Sequence, residues 1–133
     1  MKLLHLKYAL FIGICSMLFA CAKKEPADIL VKKSGTWNYL YKDTYHPNSE
    51  PFSSSSGKIV FNADGTGVQK TDTADIAIKW EATNFTVMIE HNQQVYTYYS
   101  IKEESNKKIV LENTAYLPHF GTEYYRILIL TRE

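Results

Sequence analysis

The sequence predicts an all-β protein in which eight antiparallel strands form a single up-and-down barrel. Beyond Gly35 apolar residues recur with a period of two, turn-forming residues separate short segments, and no long segment has helical periodicity. An even number of strands joined in succession by short links favours closure, because closure removes the exposed sheet edges. A two-sheet sandwich is the alternative, since periodicity does not reveal closure.

Residues 1–20 predict a cleaved export signal. Lys2 and Lys7 accompany an apolar run over 9–20, which is shorter than the ~20 residues that span a bilayer. The segment 18–21, Leu-Phe-Ala-Cys, resembles the lipobox of bacterial lipoproteins. The resemblance implies that Cys21 becomes the mature N-terminus, carrying a diacylglyceryl thioether and an amide-linked acyl chain such as palmitate. We expect this anchor to hold the protein on a membrane; ordinary signal cleavage and a retained anchor are the alternatives.

The residues after Cys21 predict the location and the start of the fold. Ala22 stands where enterobacterial lipoproteins retained at the inner membrane carry aspartate, so we expect the outer membrane. The stretch 22–25 lacks an acidic run, which favours the periplasmic side over the surface. We divide the mature chain into a lipidated tether over 21–34 and a barrel over 35–133. Within the tether, 27–33 can form a helical turn that plugs one end of the barrel.

Length, charge and cysteine content narrow the function classes. Removing 20 of the 133 residues leaves enough chain for one domain and too little for two. The excised segment carries two of the 15 Lys and Arg residues, so the mature chain is nearly neutral and predicts no nucleic-acid partner. Cys15 leaves with the signal and Cys21 is lipidated. A disulfide, a thiolate zinc site and a cysteine nucleophile are therefore excluded from the fold.

Alternating apolar residues locate the strands. Over 75–81 Ile76, Ile78 and Trp80 share one face, and the same alternation follows over 84–90. Gly-containing links over 62–67 and 118–121 and the polar link 104–106 predict turns. The predicted strands are 35–42, 57–62, 66–71, 75–82, 84–90, 94–103, 107–115 and 123–131.

A family resemblance covers nearly the whole mature chain. The segments 30–37 (Leu-Val-Lys-Lys-Ser-Gly-Thr-Trp) and 59–67 (Ile-Val-Phe-Asn-Ala-Asp-Gly-Thr-Gly), with the Trp80 strand after them, resemble the lipocalin-like domains of Bacteroidota lipoproteins. The resemblance implies an eight-stranded barrel whose floor is closed at Gly35 and Trp37. It also implies an arginine from the chain end packed on Trp37, with Arg132 and Arg126 as candidates. Such domains imply binding of a small apolar or amphipathic ligand.

The expected interior is bulky, so the barrel is either filled by its own side chains or wide enough for one small ligand. The residues expected inside are Trp37, Tyr39, Tyr41, Ile59, Phe61, Val68, Ile76, Ile78, Trp80, Phe85, Val87, Ile89, Ile101, Ile109, Leu111, Ile127 and Ile129.

Arg126 and the first long link are the candidate ligand contacts. An inward Arg126 would offer a fork to a ligand carboxylate, but both faces of the last strand are apolar. We expect Arg126 outward or at the barrel end, because an unpaired buried guanidinium is costly. The Pro- and Ser-rich segment 43–56 predicts a long loop. Tyr45, His46 and Phe52 in it either contact a ligand or lie in solvent.

Catalytic and metal-binding patterns are weak. His46, His91 and His119 lack the paired spacing of zinc ligands and are expected on the surface. The segment 62–67 resembles the start of a calcium loop, but Thr73 stands where the bidentate glutamate belongs, so a turn is favoured. We therefore expect no catalytic residue, metal or cofactor.

The sequence thus predicts a non-catalytic, outer-membrane-anchored barrel that binds a small apolar or amphipathic ligand. The alternative is a filled barrel that docks another envelope protein, as lipoprotein inhibitors do. Tyr96 and Tyr98 are expected on the outer face, where they either form a binding patch or pack across strands.

Overall fold

Eight antiparallel strands close into a barrel in the computed structural model, which describes residues 25–92, 95–117 and 121–133, with only the backbone described at 116 and 117. The predicted signal segment 1–20, Cys21 and His119 lie outside the described residues. The strands are β1 Thr36–Thr44, β2 Ser53–Phe61, β3 Thr66–Lys70, β4 Asp75–Ala82, β5 Thr86–His91, β6 Val95–Glu104, β7 Lys108–Leu117 and β8 Thr122–Thr131. Each pairs with the next, and β8 pairs with β1, so the predicted up-and-down barrel is confirmed and is compatible with a lipocalin-like fold.

A short helix, α1 (Pro26–Val31), covers the end of the barrel that we call the floor. Pro26 lies in the first helical turn, where its missing N–H needs no partner. Ile29 and Leu30 are buried in the core. Residues 26–31 therefore pack against the barrel, and Leu30 is the main plug. A 3-10 turn, Lys33–Gly35, leads from α1 into β1.

Side chains fill the floor half of the barrel. Trp37 of β1, Ile59 of β2, Val87 of β5 and Ile109 and Leu111 of β7 are buried there. Their alternation with exposed neighbours follows from the pleat, which turns every second side chain inward. The ring of Trp80 packs edge-on against Phe61 with the centroids 5.4 Å apart. Its Nε1 donates to the carbonyl oxygens of Asn62 and Thr66, 3.1 and 3.0 Å away.

The first link is shorter than the sequence predicts. β1 extends to Thr44 and β2 begins at Ser53, so the loop covers 45–52 rather than 43–56. Ser53–Ser56 pair with β1 as regular strand. A run of serines has no apolar alternation and is typical of loops, which is why the prediction missed this half of the strand.

The inward face of β8 is the opposite of the predicted one. Leu128 and Leu130 are buried, whereas Ile127 and Ile129 face outward. Ile129 pairs with Leu40 of β1 and Val110 of β7, so these outward side chains cover one another across strands. Apolar residues on both faces removed the signal that distinguishes inside from outside.

Two further interior predictions are wrong. Phe85 lies in the turn before β5 and is 79% exposed. Val68 faces outward, because the buried residues of β3 are Gly67 and Gln69. The sequence also missed Tyr99, whose side chain is buried in the barrel. No helix in the described ranges is long and apolar enough to cross a membrane.

Candidate functional site

The end of the barrel opposite α1, which we call the mouth, contains a cavity of about 370 Å³. This volume lies in the lower part of the ~300–1,000 Å³ range of small-molecule sites. The barrel is thus filled at the floor and hollow at the mouth. The cavity is lined by Tyr41, Asp43, Ser53, Ser54, Ser55, Gln69, His91, Val95, Thr97, Tyr99 and Arg126.

Small side chains on β2 create this space. Ser53 and Ser55 occupy the inward positions opposite Asp43 and Tyr41 of β1. Nearer the floor, the inward positions of the same strand hold Ile59 and Phe61, which are buried. The change from serine to large apolar residues along one strand therefore separates the hollow half of the barrel from the filled half.

Arg126 points into the mouth and forms an ion pair with Asp43. The two residues face each other in the β1–β8 register. Arg126 Nε and Nη2 donate to the two Asp43 carboxylate oxygens at 2.9 and 3.0 Å, a bidentate arrangement. These hydrogen bonds raise the pKa of Arg126 above its ordinary value. The sequence predicts Arg126 outward or at the barrel end: it does lie near the barrel end, but it faces inward rather than outward, because Asp43 removes the cost of an unpaired guanidinium.

His91 lies in the mouth rather than on the surface, which corrects the sequence prediction. Its Nε2 is 2.8 Å from Gln69 Oε1, and since that oxygen is an acceptor, Nε2 carries the hydrogen. Gln69 itself is buried. Burial lowers the pKa of His91, and the positive charge of Arg126 lowers it further. The imidazole is therefore neutral at pH 7.

Two tyrosines form the bottom of the cavity. Tyr99 is buried and Tyr41 is half-buried against the core. Burial raises the pKa values of both hydroxyl groups, so both keep their protons at neutral pH. The Tyr41 hydroxyl is buried close to that of Tyr99, but it makes no hydrogen bond of normal geometry within the described residues. A buried hydroxyl without a hydrogen-bond partner costs free energy. Because Tyr41 lines the cavity, a ligand bound there could supply that partner.

Aromatic side chains line one side of the mouth entrance, and we call Tyr45, Phe52 and Tyr124 the aromatic rim. The Phe52 ring centroid lies 4.7 Å from that of Tyr45 and 6.0 Å from that of Tyr124. The guanidinium carbon of Arg126 lies 5.8 Å from the Tyr124 ring centroid. The aromatic rim therefore lies next to the Arg126–Asp43 ion pair.

Of the four residues predicted to contact a ligand, the structure places one in the cavity. Arg126 lines it, whereas Tyr45, His46 and Phe52 do not. Tyr45 and Phe52 are exposed on the rim. Tyr45 and His46 also line a separate outer depression beside Tyr125.

The predicted floor residues come together at the opposite end. The Arg132 guanidinium carbon lies 3.9 Å above the centre of the Trp37 ring. Trp37 Nε1 donates to the Leu30 carbonyl oxygen at 2.8 Å. Gly35 has a φ of +64°, and a Cβ there would lie 1.9 Å from the Phe61 carbonyl oxygen, so only glycine fits. These contacts are structural, because none of the predicted floor residues, Gly35, Trp37 and Arg132, lines the mouth cavity.

A turn lies in the segment 62–67, as predicted: residues 62–65 connect β2 to β3, which begins at Thr66. Asp64 accepts hydrogen bonds from the backbone N–H and the hydroxyl group of Thr66 at 3.0 and 2.6 Å. These bonds lower the pKa of Asp64. Within 25–92, 95–117 and 121–133, no three His, Cys, Asp or Glu side chains are placed to hold a metal ion.

Sequence reasoning missed Asp43, Gln69, His91, Thr97 and Tyr99 of the cavity. One signal was available for Asp43: it shares the parity of inward-facing Tyr39 and Tyr41. The first and last strands of a closed barrel are neighbours, so oppositely charged residues near the same end of both are candidates for a pair. Gln69 and Tyr99 had no comparable signal.

The mouth offers both donors and acceptors around one neutral ion pair. The Arg126 guanidinium donates, Asp43 accepts, and the hydroxyl groups of Ser55, Thr97 and Tyr41 can do either. This arrangement suits the binding of a polar group.

A search of protein-family models, curated proteins and solved structures finds nothing that matches this chain.

Proposed function

We propose that the protein is an outer-membrane lipoprotein whose barrel binds a small amphipathic ligand in the mouth, without catalysis. The observation that carries the proposal is the mouth cavity, in which the buried Tyr41 hydroxyl lacks a hydrogen bond of normal geometry and Arg126 is already held in place by Asp43. Pre-positioned polar groups around a cavity reduce the free energy needed to order a site on binding.

The positions of the two barrel ends fit the proposed lipid anchor. The chain reaches the barrel through α1 at the floor, and the mouth lies at the opposite end. A lipidated Cys21 would therefore hold the floor toward the outer membrane, on its periplasmic side, and leave the mouth open to solvent. The closed barrel and its floor helix lie within 26–131, so residues 22–133 contain every helix and strand that the structure describes.

The neighbours of His91 support a binding role over an enzymatic one. A general base of the histidine–carboxylate type needs a carboxylate that orients the imidazole. The hydrogen-bond partner of His91 is the neutral Gln69, and Asp43 is engaged by Arg126.

Native mass spectrometry tests ligand binding on residues 22–133 purified from an envelope-competent bacterial host. We expect a small-molecule adduct that is lost on denaturation. Ser55→Phe should abolish the adduct because it fills the cavity. Ser56→Phe is the matched control, since residue 56 occupies the next, outward position on β2 and does not line the cavity. Bare protein mass, persisting after incubation with an envelope lipid extract, would contradict the proposal.

The second candidate function is docking of another envelope protein through the outer face of β6. Tyr96 and Tyr98 are 56% and 63% exposed there, an arrangement common at interfaces. A photo-crosslinker at position 98 should then capture one discrete partner in intact cells. The same group at Lys79, exposed on the outer face of β4, is the control. Equal labelling from both positions would contradict docking at β6.

A further inference from the structure

The charge balance of the mouth restricts the ligand that it can hold. Among the described lining residues, Asp43 and Arg126 are the only charged side chains, and each neutralises the other. His91 adds no charge at pH 7, because its neutral form is favoured by burial. An anion that enters this cavity leaves water without meeting a net positive charge, which is unfavourable.

The geometry of the ion pair gives the same result. Arg126 uses one N–H of Nε and one of Nη2 on Asp43, so both N–H groups of Nη1 and the second N–H of Nη2 remain to donate to a ligand. A carboxylate at Nη1 would also lie close to the negative charge of Asp43. Hydroxyl groups have no such conflict, because they are uncharged: one can accept from the guanidinium while another donates to an Asp43 oxygen.

The other polar groups of the cavity also match hydroxyl groups. His91 donates from Nε2 to Gln69, so its Nδ1 is an acceptor. The Tyr41 hydroxyl can donate and accept, and it makes no hydrogen bond of normal geometry within the described residues. Carboxylates only accept hydrogen bonds, whereas these groups need partners of both kinds.

The position of apolar surface limits where a hydrophobic part of the ligand can lie. The floor half of the barrel is filled by the core, so an alkyl chain has no room below Tyr41 and Tyr99. The aromatic rim is exposed apolar surface beside the cavity, because Tyr124 contacts Arg126. Val95, which lines the cavity and is exposed, adds to this surface.

We infer that the mouth takes an uncharged, hydroxyl-rich head group, such as a sugar ring, whose apolar substituent lies along the aromatic rim, rather than a fatty-acid carboxylate. This inference rests on the proposed ligand-binding function and names its ligand class.

Three probes built on eight carbons in a straight chain separate the alternatives: n-octyl β-D-glucoside below its micelle concentration, octanoate and 1-octanol. Binding to residues 22–133 is followed by the backbone amide NMR signals of Ser55 and Thr97 in the mouth, with Lys107 at the floor as the reference. We expect the glucoside to bind at least tenfold more tightly than octanoate or octanol.

The variant Asp43→Asn tests the charge argument directly. It keeps the shape of the side chain and leaves the positive charge of Arg126 without a counterion, so the affinity for octanoate should rise at least tenfold. Glu112→Gln is the matched control, because it changes the net charge equally but alters the ion pair with Lys102 outside the cavity. Its affinities should equal those of the unaltered protein.

The outcomes are distinct. Octanoate binding as tightly as the glucoside would overturn the inference and leave the binding function standing. Octanol binding as tightly would do the same, because the head group would then contribute nothing. If no probe shifts the mouth signals, the proposed function fails and the inference with it. Unchanged floor signals in Asp43→Asn show that the variant is folded, and an unchanged octanoate affinity in that folded variant would overturn the charge argument.

Discussion

Arg132→Ala should destabilise the barrel more than any other single change to an arginine or lysine at its floor. The guanidinium donates from Nε to the Asn106 carbonyl at 2.7 Å, from Nη2 to the Ile29 carbonyl at 3.0 Å and from Nη1 to the Lys32 carbonyl. It therefore ties the end of β8 to α1 and to the β6–β7 turn while covering Trp37. The Ile29 and Lys32 carbonyls belong to the C-terminal part of α1 and its cap, which lack partners within the helix.

The magnitude follows from these contacts. A hydrogen bond to a charged group contributes about 1.5–3 kcal/mol, and an arginine over an indole about 0.5–2 kcal/mol. Arg132 is half-exposed, and the carbonyl groups that it leaves can bind water, so the low end of each range applies and the terms do not add fully. We expect a loss of about 3 kcal/mol in the free energy of unfolding. For a domain of this size that is a large part of the ~5–15 kcal/mol available.

Urea denaturation of residues 22–133, followed by tryptophan fluorescence, measures this loss because Trp37 lies directly beneath the guanidinium. Arg132→Lys keeps the charge but not the planar fork, and should lose about half as much. Lys107→Ala is the control: Lys107 is exposed beside the same turn, and its replacement should change the stability by less than about 0.5 kcal/mol. If Arg132→Ala lost equally little unfolding free energy, with an unchanged denaturant slope, the proposed role of Arg132 in holding β8, α1 and the β6–β7 turn together would be refuted.

Three other outcomes concern buried groups. Leu30→Ala should cost about 2–5 kcal/mol of unfolding free energy, because Leu30 is fully buried; urea midpoints equal to those of half-exposed Val31→Ala would contradict a structural α1. Tyr39→Phe removes a buried hydroxyl that lacks a partner, so the melting temperature should stay or rise, and a clear fall would reveal a missed hydrogen bond. Burial holds the folded-state pKa of His91 below its unfolded value of 6.5, so its stabilising contribution is complete above pH 6.5 and is lost as the pH falls through the folded-state pKa. Urea midpoints should therefore drop between pH 7 and 5.5, and His91→Asn should weaken that dependence; identical pH profiles would argue against a buried imidazole.

Local sequence was a reliable guide where one face of a strand is apolar and the other polar. The bounds of β4 were predicted residue for residue, because Ile78 and Trp80 alternate with charged neighbours. The same reasoning failed in β8, where Ile127 and Leu128 are equally apolar and a shift of one residue exchanges the two faces. It failed again at Ser53–Ser56, where small polar side chains form a strand because β1 pairs with them.

The candidate site depended on long-range pairing. Arg126 was recognised as a candidate, yet the direction of its side chain could not be decided without Asp43. Asp43 lies on the first strand and Arg126 on the last. His91 was assigned to the surface because nothing nearby in the sequence identifies Gln69 as its partner. Closure of the barrel brings Arg126 to Asp43, because β8 then pairs with β1. Gln69 and His91 come together because β3 and β5 are the two neighbours of β4.

By itself the sequence determined the all-β class, the succession of eight strands and the glycine turns, because periodicity and backbone preference act between neighbours in the chain. Only the tertiary structure decided which face of β8 points inward and that Arg126 meets Asp43 above a hollow mouth. Those features depend on which strands become neighbours when β1 pairs with β8, and on how much volume the inward side chains then leave, and neither quantity is encoded in any local window of residues.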